Sequence, residues 1–282
     1  MTLRSRAGNV RRKILSAVYQ RPVALGAIGP IVTFTFDDFP RSALTVGAKV
    51  LESFGARATY YVAMSLMNMT NSLGEQFREE DLFSVLDRGH ELASHTLSHL
   101  SARRSTCDAF VRDAEKGEEA IREKMGIPSS GNFAYPYGDV TPKVKRNLGA
   151  RLTSCRGTIG GLNGPSVDLN LLRANSLYGD LDREEAAKQL ILENERRRSW
   201  LIFYTHDVAA GPSRFGCFPQ LLREVCSFAA TRGARFMTVA EVMKELGQQP
   251  EVPMERNLQT ESRMRNQFPM HSSRWLSGDI CG

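Results

Sequence analysis

Short apolar segments alternate with amphipathic segments along most of this chain. Residues 31–36 (IVTFTF) are rich in β-branched and aromatic side chains, which predicts a buried strand. Residues 43–55 carry apolar side chains at helical spacing, among them Leu44, Ala48 and Leu51, and end at a glycine. The alternation continues for about seven strand–helix units. It predicts a parallel sheet covered by helices on both faces, either a (β/α) barrel or an open doubly wound sheet.

The remaining segments follow the same rhythm. Further strands are predicted at residues 57–64, 90–94, 132–138 (ending in a turn), 151–157, 170–179, 200–207 and 235–239. Further helices are predicted at residues 79–89, 106–126, 141–150, 182–198, 219–233 and 240–247. No GxGxxG motif follows the first strand, so a dinucleotide-binding fold has no support.

Composition divides the chain into three parts. Residues 1–28 form a basic extension with a predicted helix over residues 8–20. Residues 29–247 carry the strand–helix repeat and are predicted to fold as a single domain. Residues 248–282 are polar and lose the periodicity, which predicts a loosely ordered tail.

Chemically reactive side chains follow four of the predicted strands. Along the chain they are Asp37 and Asp38, then His95 and His99, then Tyr137 and Asp139, and finally His206 and Asp207. In a barrel of parallel strands the carboxyl ends of the strands share one face, where catalytic residues concentrate. We therefore expect these side chains to lie in one site.

The paired acids and the paired histidines predict a divalent metal site. Adjacent acids after an apolar strand are costly unless a cation compensates them. Successive residues of an extended chain point in opposite directions, so one of Asp37 and Asp38 can bind metal while the other stays free as a base. His95 and His99 have i, i+4 spacing, and on a helical turn both rings reach one ion. Two histidines and one carboxylate leave open positions for water on a zinc-like ion.

A zinc-like ion lowers the pKa of its bound water to about 7, which predicts a hydrolase. A neighbouring carboxylate can take the remaining proton, and a second group must protonate the leaving group. His206, at the end of an apolar strand, is the candidate for that acid. The residues alone leave two alternatives open: an exposed acidic loop at Asp37 and Asp38, and a histidine at position 206 that only satisfies a backbone carbonyl.

Charge narrows the possible partners. The net charge is +6, and the excess is divided between the N-terminus and residues 196–198 rather than gathered in one patch. No interleaving of basic and aromatic residues is present, so we do not expect nucleic acid to bind. Solvated surface charge is the simplest interpretation, and weak contact of the N-terminal segment with an anionic membrane face is an alternative.

Three further features predict a cytoplasmic location. The N-terminus lacks the continuous apolar region of a signal peptide. No apolar run is long enough for a transmembrane helix. The five cysteines are odd in number and scattered, which is typical of a reducing compartment.

Four motifs together resemble the polysaccharide deacetylase family, also called the NodB-homology family or family 4 carbohydrate esterases. They are Thr35-Phe36-Asp37-Asp38, His95-Thr96-Leu97-Ser98-His99, Phe133-Ala134-Tyr135-Pro136-Tyr137-Gly138 and Leu201-Ile202-Phe203-Tyr204-Thr205-His206. The resemblance spans about residues 30–240. It implies a distorted (β/α) barrel and metal-dependent removal of an N-acetyl group from an amino sugar.

The resemblance also implies a role for each matching residue. Asp37 matches the catalytic base, and His206 matches the acid that protonates the departing amine. Tyr137 matches the residue whose backbone N–H, together with the metal, stabilises the tetrahedral oxyanion. The residues that match the metal ligands are Asp38, His95 and His99. The ion is expected to be Zn²⁺, although the same donors admit Co²⁺, Ni²⁺ or Fe²⁺.

Three departures from the family pattern bear on the site. Phe39 replaces the usual glycine after the acidic pair and is expected to narrow the site. Ala134 replaces the motif arginine that orients the base, and Arg173 is the candidate substitute. The family's Asp-Trp motif is not visible, and Asp180, the nearest acid, is given no role.

The sequence thus favours an enzyme that deacetylates an N-acetylated saccharide. A chito-oligosaccharide or a surface-polysaccharide precursor, including a lipid-linked one, would suit a cytoplasmic enzyme. The alternatives are a hydrolase of a different amide and a non-catalytic carbohydrate-binding protein on a degenerate deacetylase scaffold. The missing arginine and Asp-Trp motif favour the second alternative, whereas the intact acids and histidines oppose it.

Overall fold

A computed structural model describes the backbone of residues 3–248 and the side chains of residues 10–248. The strands in this range are β1 (Pro22–Ala24), β2 (Ile31–Asp37), β3 (Ala58–Val62), β4 (Thr70–Asn71), β5 (Gly74–Glu75), β6 (Glu91–Ser94), β7 (Asn132–Ala134), β8 (Ser154–Arg156), β9 (Ser166–Asp168), β10 (Asn175–Ser176), β11 (Trp200–Thr205) and β12 (Arg235–Phe236). The helices are α1 (Leu3–Ala17), α2 (Lys49–Glu52), α3 (Glu79–Asp87), α4 (Cys107–Met125), α5 (Pro142–Gly149), α6 (Glu184–Arg197), α7 (Pro219–Thr231) and α8 (Val239–Glu245). Apart from Gln248, the tail predicted at residues 248–282 lies outside the described range.

Seven parallel strands form one curled sheet. Their order is β10-β11-β2-β3-β6-β7-β8, and the short strand β12 pairs with the first half of β2. Every pair in this sheet is parallel. The arrangement confirms the predicted distorted (β/α) barrel of about seven parallel strands. No helix in the described part of the chain is long and apolar enough to cross a membrane.

Strand β2, near the centre of the sheet, separates the outer core from the inner face. Its Val32, Phe34 and Phe36 pack in the cluster that also contains the apolar side chains of α2, α3 and α7. Ile31 packs in a second cluster, which lies on the opposite face of the sheet. Because side chains alternate along a strand, Asp37 points to the same inner face as Ile31.

Some short elements differ from the predicted pattern. Two antiparallel pairs, β1 with β9 and β4 with β5, were not predicted. Of the strand predicted at residues 170–179, only Asn175–Ser176 pairs with β11. Residues 43–48 form a π-helical turn ahead of α2. These elements span only two to six residues, too few for a hydrophobic period to identify them.

Helix α4 contains a buried carboxyl group that makes stability depend on pH. Burial raises the pKa of Glu118 to about 7, while a hydrogen bond from Ser129 acts in the opposite direction. Oε1 of Glu118 has no hydrogen-bond partner among the described residues. The folded chain therefore holds this proton more tightly than the unfolded chain. Its contribution to the free energy of unfolding is present below about pH 4.5 and is lost as the pH rises through about 7.

We expect Glu118→Gln to raise the free energy of unfolding at pH 8 by up to about 3 kcal/mol, with a much smaller effect at pH 5. Glutamine keeps the shape of the protonated acid but cannot ionise. Urea unfolding at both pH values measures the difference. Glu123→Gln, an exposed position on the same helix, is the matched control. An equal effect of Glu118→Gln at pH 5 and pH 8 would contradict the assignment.

Candidate active site

Asp38, His95 and His99 direct their polar atoms at one point. Oδ1 of Asp38 lies 3.0 Å from Nε2 of His99 and 3.6 Å from Nε2 of His95. One ligand atom from each residue lies within 4.8 Å of the others. Asp38 and His95 are buried, whereas His99 is partly exposed. This spacing suits three ligands of one divalent ion with a side open to solvent.

The state of the Asp38 carboxylate tests whether these residues fit a metal. Its Oδ1 is buried and has no aligned hydrogen-bond donor among the described residues, although Nε2 of His99 lies 3.0 Å away. A buried carboxylate oxygen without a partner is costly. Two ligand atoms that share an ion lie close together without the alignment of a hydrogen bond. The three residues therefore fit a divalent cation.

The other ring nitrogen of each histidine is engaged away from this point. Nδ1 of His95 lies 2.8 Å from the carbonyl oxygen of Ala134, to which it donates. Nδ1 of His99 lies 3.0 Å from the hydroxyl of Tyr137. A neutral ring that donates through Nδ1 leaves the lone pair of Nε2 free for a metal. We assign this tautomer from the contacts.

The protonation states agree with metal binding. Burial lowers the pKa of His95 to about 4, although Asp37 acts in the opposite direction. His95 is therefore neutral at pH 7, as a metal ligand must be. Burial opposes ionisation of Asp38, but the close contact with His99 and the nearby His95 hold the pKa of Asp38 below its ordinary value.

The loops that carry these ligands use an uncommon backbone conformation. Asp38, Thr96, His99 and Tyr137 have φ values of 63°, 65°, 54° and 60°. Non-glycine residues in this left-handed region cost on the order of 1–3 kcal/mol each and concentrate at functional sites. The prediction that His95 and His99 lie on a helical turn is therefore wrong, because an irregular loop brings their rings to 5.0 Å.

Helix α4 supports the histidine loop from behind. A Cβ atom at Gly117 would lie 2.6 Å from the carbonyl carbon of Thr96, so only glycine allows this approach. The backbone N–H of Leu97 donates to the carbonyl of Asp113 over 2.9 Å. The backbone N–H of Ser98 donates to the Asp113 carboxylate over 3.1 Å. These contacts fix the loop between the two histidines.

Asp37 lies beside the metal ligands and is paired with a buried arginine. Nη2 of Arg156 donates to Oδ1 of Asp37, and Nη1 donates to the carbonyl of Gly157 over 3.2 Å. Arg156 is 0% exposed. Its guanidinium lies between two aromatic rings, 5.0 Å from the centroid of Tyr61 and 5.2 Å from that of Tyr204. Burial opposes the charge of Arg156, but Asp37 and Tyr61 raise its pKa above the ordinary value.

Arg156 was not among the residues singled out in the sequence, and it explains the alanine in the third motif. Ala134 and Arg156 are directly opposite each other in the parallel pair of β7 and β8. The arginine missing from position 134 is thus present one strand away at the same height. Arg173 does not reach Asp37 in this structure, because its Nη1 donates to the carbonyl of Gly160 over 3.0 Å. A charged residue inside the strand predicted at residues 151–157 was the available clue to Arg156.

Phe39 does not narrow the site, contrary to the prediction. Its ring is 0% exposed and packs in the core, stacked on Phe77 at 5.2 Å and tilted against Tyr60 at 4.7 Å. Its φ of 66° is one that glycine adopts without cost. The backbone thus keeps the turn of the family motif while the side chain stabilises the core.

His206 lies on the loop that follows β11. Its Nδ1 lies 3.2 Å from the carbonyl oxygen of Phe215. Because Nδ1 can donate to this oxygen, Nε2 remains available for other contacts. Tyr178 flanks the imidazole, with ring centroids 6.0 Å apart. Asp207 holds the loop by accepting a hydrogen bond from the backbone N–H of Ser213 over 2.6 Å. Asp207 is therefore a structural residue of this loop.

A cavity of about 610 Å³ has in its wall Tyr178, the neighbour of His206. Its wall includes Thr158, Tyr178, Tyr204, Arg183 and Arg214. Aromatic faces with a few polar groups are typical of small-molecule sites. Thr158 also lines a second cavity of about 210 Å³, which continues past Tyr137. Tyr178 of the first cavity lies beside His206, and Tyr137 of the second cavity lies beside His99.

Residues 27–153 match the family model described as polysaccharide deacetylase. The match contains the first three motifs, and over these residues it agrees with the predicted family. It also confirms the predicted class of enzyme, a hydrolase acting on acetyl groups of polysaccharides. No curated protein matches the chain.

Solved structures show the same fold at low sequence identity. A family 4 acetyl xylan esterase from Clostridium thermocellum, solved with a cobalt ion, is 20% identical, covers 79% of this chain and 95% of its own, and has a TM-score of 0.52. PdaA of Bacillus subtilis, a family 4 carbohydrate esterase, is 11% identical over 83% of this chain and 88% of its own, with a TM-score of 0.52. The Bc1960 peptidoglycan N-acetylglucosamine deacetylase is 17% identical over 83% and 96%, with a TM-score of 0.51.

Proposed function

We propose that this chain, whose residues 27–153 belong to the polysaccharide deacetylase family, is a metal-dependent enzyme that removes N-acetyl groups from an amino sugar in an oligo- or polysaccharide. One observation carries the proposal. Three metal-binding side chains, Asp38, His95 and His99, lie next to Asp37, a carboxylate held in place by Arg156. Ligands and base therefore share one opening at the carboxyl ends of the parallel strands.

Asp38, His95 and His99 would hold the ion. A divalent cation there lowers the pKa of water and polarises a carbonyl group. Zn²⁺ is proposed because two imidazoles and one carboxylate suit it, and Co²⁺, Ni²⁺ and Fe²⁺ accept the same donors. The cobalt ion in the Clostridium thermocellum esterase is consistent with this donor set.

Asp37 is proposed as the general base. Its carboxylate faces the inner side of the barrel next to the ligands and is fixed there by Arg156. In this position it can take the proton of a water molecule that attacks the acetyl carbonyl carbon. General base catalysis of this kind contributes about 10²–10⁴ in rate.

His206 and Tyr137 are proposed for the opposite side of the reacting amide. In its protonated form His206 can donate from Nε2 to the departing amine nitrogen, while Nδ1–H stays with the carbonyl of Phe215. The backbone N–H of Tyr137 is proposed to stabilise the oxyanion, as the family motif implies. The Tyr137 hydroxyl has a further role, since it contacts Nδ1 of His99.

The saccharide is proposed to bind in the cavity that contains Tyr178, Tyr204 and Arg214. Its volume of about 610 Å³ lies in the range of small-ligand sites, and a sugar ring can stack on the tyrosines. A chito-oligosaccharide or a surface-polysaccharide precursor is the proposed class of substrate. We place the enzyme in a reducing compartment, the cytoplasm, because the described cysteines are free thiols.

A non-catalytic sugar-binding role loses its main support. That alternative depended on a base without its arginine, and Arg156 occupies the place beside Asp37. The Asp-Trp motif remains absent from the sequence.

Release of acetate from N-acetylglucosamine oligomers tests the proposed function. We expect acetate release that a chelator abolishes and that Zn²⁺ or Co²⁺ restores, because the proposed reaction needs the ion. His95→Ala, which removes a ligand, should not be restored by added metal. Saturable binding of metal and sugar without turnover across a broad panel of acetylated amides would contradict an enzymatic role.

A further inference from the structure

The second cavity, of about 210 Å³, lies between α1 and the turn that follows β7. Tyr137 forms one wall, and Arg11 and Arg12 of α1 form another. The ring of Tyr137 also packs on His99, with centroids 4.4 Å apart. One aromatic side chain therefore separates the metal-binding residues from two arginines.

Helix α1 is fastened to the barrel, so these arginines have a defined position. Leu15 is 4% exposed, and its carbonyl accepts a hydrogen bond of 2.7 Å from Nζ of the buried Lys145. Nη2 of Arg11 lies 3.4 Å from the carbonyl oxygen of Val140, in the turn after β7. Arg11 and Arg12, within the basic segment predicted as an extension, thus line the cavity that Tyr137 borders.

Positive charge at this rim exceeds the available counter-charge. Arg11 lies 3.8 Å from Asp139, and Arg103 lies 3.6 Å from the same carboxylate. Asp139 also accepts a hydrogen bond of 2.7 Å from Ser101. The neighbouring arginines without an ion pair to another described residue are Arg12 and Arg104.

The electrostatic consequences are visible at the two side chains nearest the cavity. Burial lowers the pKa of Arg11, and the charges of Arg103 and Arg12 lower it further, against the effect of Asp139. Arg104 lies close enough to Tyr137 for its charge to act on that side chain. Several guanidinium groups that share one carboxylate favour an anionic ligand.

We propose that this cavity, bounded by Arg11, Arg12 and Tyr137, binds an anionic group carried by the saccharide substrate. The inference rests on the proposed function and specifies its substrate as an acidic saccharide. The anion is a phosphate ester or a sugar carboxylate, both of which arginine binds through paired N–H donors. It is held while the N-acetyl group on the same or the adjacent sugar lies at the metal-binding residues.

Kinetics with metal-loaded full-length protein test the preference for charge. Three substrates are compared: neutral N-acetylglucosamine oligomers, N-acetylglucosamine 1-phosphate, and an oligosaccharide that alternates N-acetylglucosamine with a uronic acid. We expect KM at least about tenfold lower for one of the acidic substrates at low ionic strength, and a smaller difference in 0.5 M salt. The better acidic substrate distinguishes a phosphate from a carboxylate. Equal KM values for neutral and acidic substrates would overturn the proposal.

Variants identify where the preference arises. Arg12→Ala and Arg104→Ala should each reduce the ratio of neutral to acidic KM severalfold, whereas Arg12→Lys should retain part of it. Arg196→Ala is the matched control, because it removes the same charge from an exposed side chain at the C-terminal end of α6. A preference that survives Arg12→Ala and Arg104→Ala would exclude this cavity.

A binding measurement separates this inference from the proposed function. Inorganic diphosphate, titrated calorimetrically into the wild-type protein, should bind saturably, and binding should weaken in Arg12→Ala but not in Arg196→Ala. This result can be obtained even if no substrate is deacetylated. Activity on neutral oligomers without diphosphate binding would retain the proposed function and overturn the anion site. Arg12-dependent binding to vesicles of anionic lipid, with no preference among saccharides, would also overturn it in favour of a membrane surface.

Discussion

Asp37→Asn is expected to lower the rate of acetate release by a factor of about 10²–10⁴ while the metal stays bound. Asparagine keeps the shape of the side chain but cannot accept a proton from water. The three proposed metal ligands are unchanged, and Asp37 is not one of them. The loss should therefore appear in kcat, with metal content near that of the wild type.

Turnover, metal content and thermal unfolding are measured on the same preparation. Asp37→Asn also leaves the buried Arg156 without its carboxylate, so a lower Tm is expected as well. Asp180→Asn is the matched control, since Oδ1 of Asp180 caps Leu181 from an exposed position and asparagine can keep that bond. Full activity of Asp37→Asn would remove Asp37 from the role of base.

Arg156→Ala is expected to have the largest effect on stability. It removes the partner of a buried carboxylate and empties the space between Tyr61 and Tyr204. Breaking a buried ion pair by deleting one member costs about 3–5 kcal/mol. Turnover should fall as well, because Asp37 then lacks the group that fixes its position. Arg156→Lys keeps the charge but loses the planar stacked geometry, so we expect partial activity.

Moving the arginine from position 156 to position 134 tests whether its place beside Asp37 is what matters. Ala134 and Arg156 are opposite each other in adjacent strands, so Ala134→Arg combined with Arg156→Ala returns a guanidinium to the same height of the barrel. We expect the double variant to recover part of the turnover that Arg156→Ala loses. Arg173→Ala is the control for a surface arginine, since Arg173 contacts the carbonyl of Gly160. A fall in turnover with Arg173→Ala, and none with Arg156→Ala, would reverse the assignment.

Much of the architecture could be predicted because its pattern is local. The apolar run at residues 31–36 and the helical spacing after it are set by which side chains must leave water. Repetition of this strand–helix unit predicts a parallel sheet, and the structure contains one. The clustering of Asp37, His95 and His206 followed from the same argument, because parallel strands bring their carboxyl ends together.

Other features depend on pairings between distant parts of the chain. β9 pairs with β1 across more than a hundred residues, and neither strand is long enough to show a period. The side chain of Phe39 turns into the core because Tyr60 and Phe77 provide a surface there. From the sequence alone, the position of Phe39 beside the acidic pair predicts that its ring faces the site.

The sequence by itself determined the strand–helix repeat, the family, and the identity of the acids and histidines at the strand ends, because spacing and residue type along the chain encode them. Only the tertiary structure decided how Asp37 is held. The partner of Asp37 is Arg156, which lies 119 residues further along the chain. Arg156 is on the strand next to the one that carries the family's arginine position, Ala134. Likewise, only the folding of α1 onto the barrel places Arg11 and Arg12 at the rim. Contacts of this kind are fixed by strand register and helix packing, which no local pattern records.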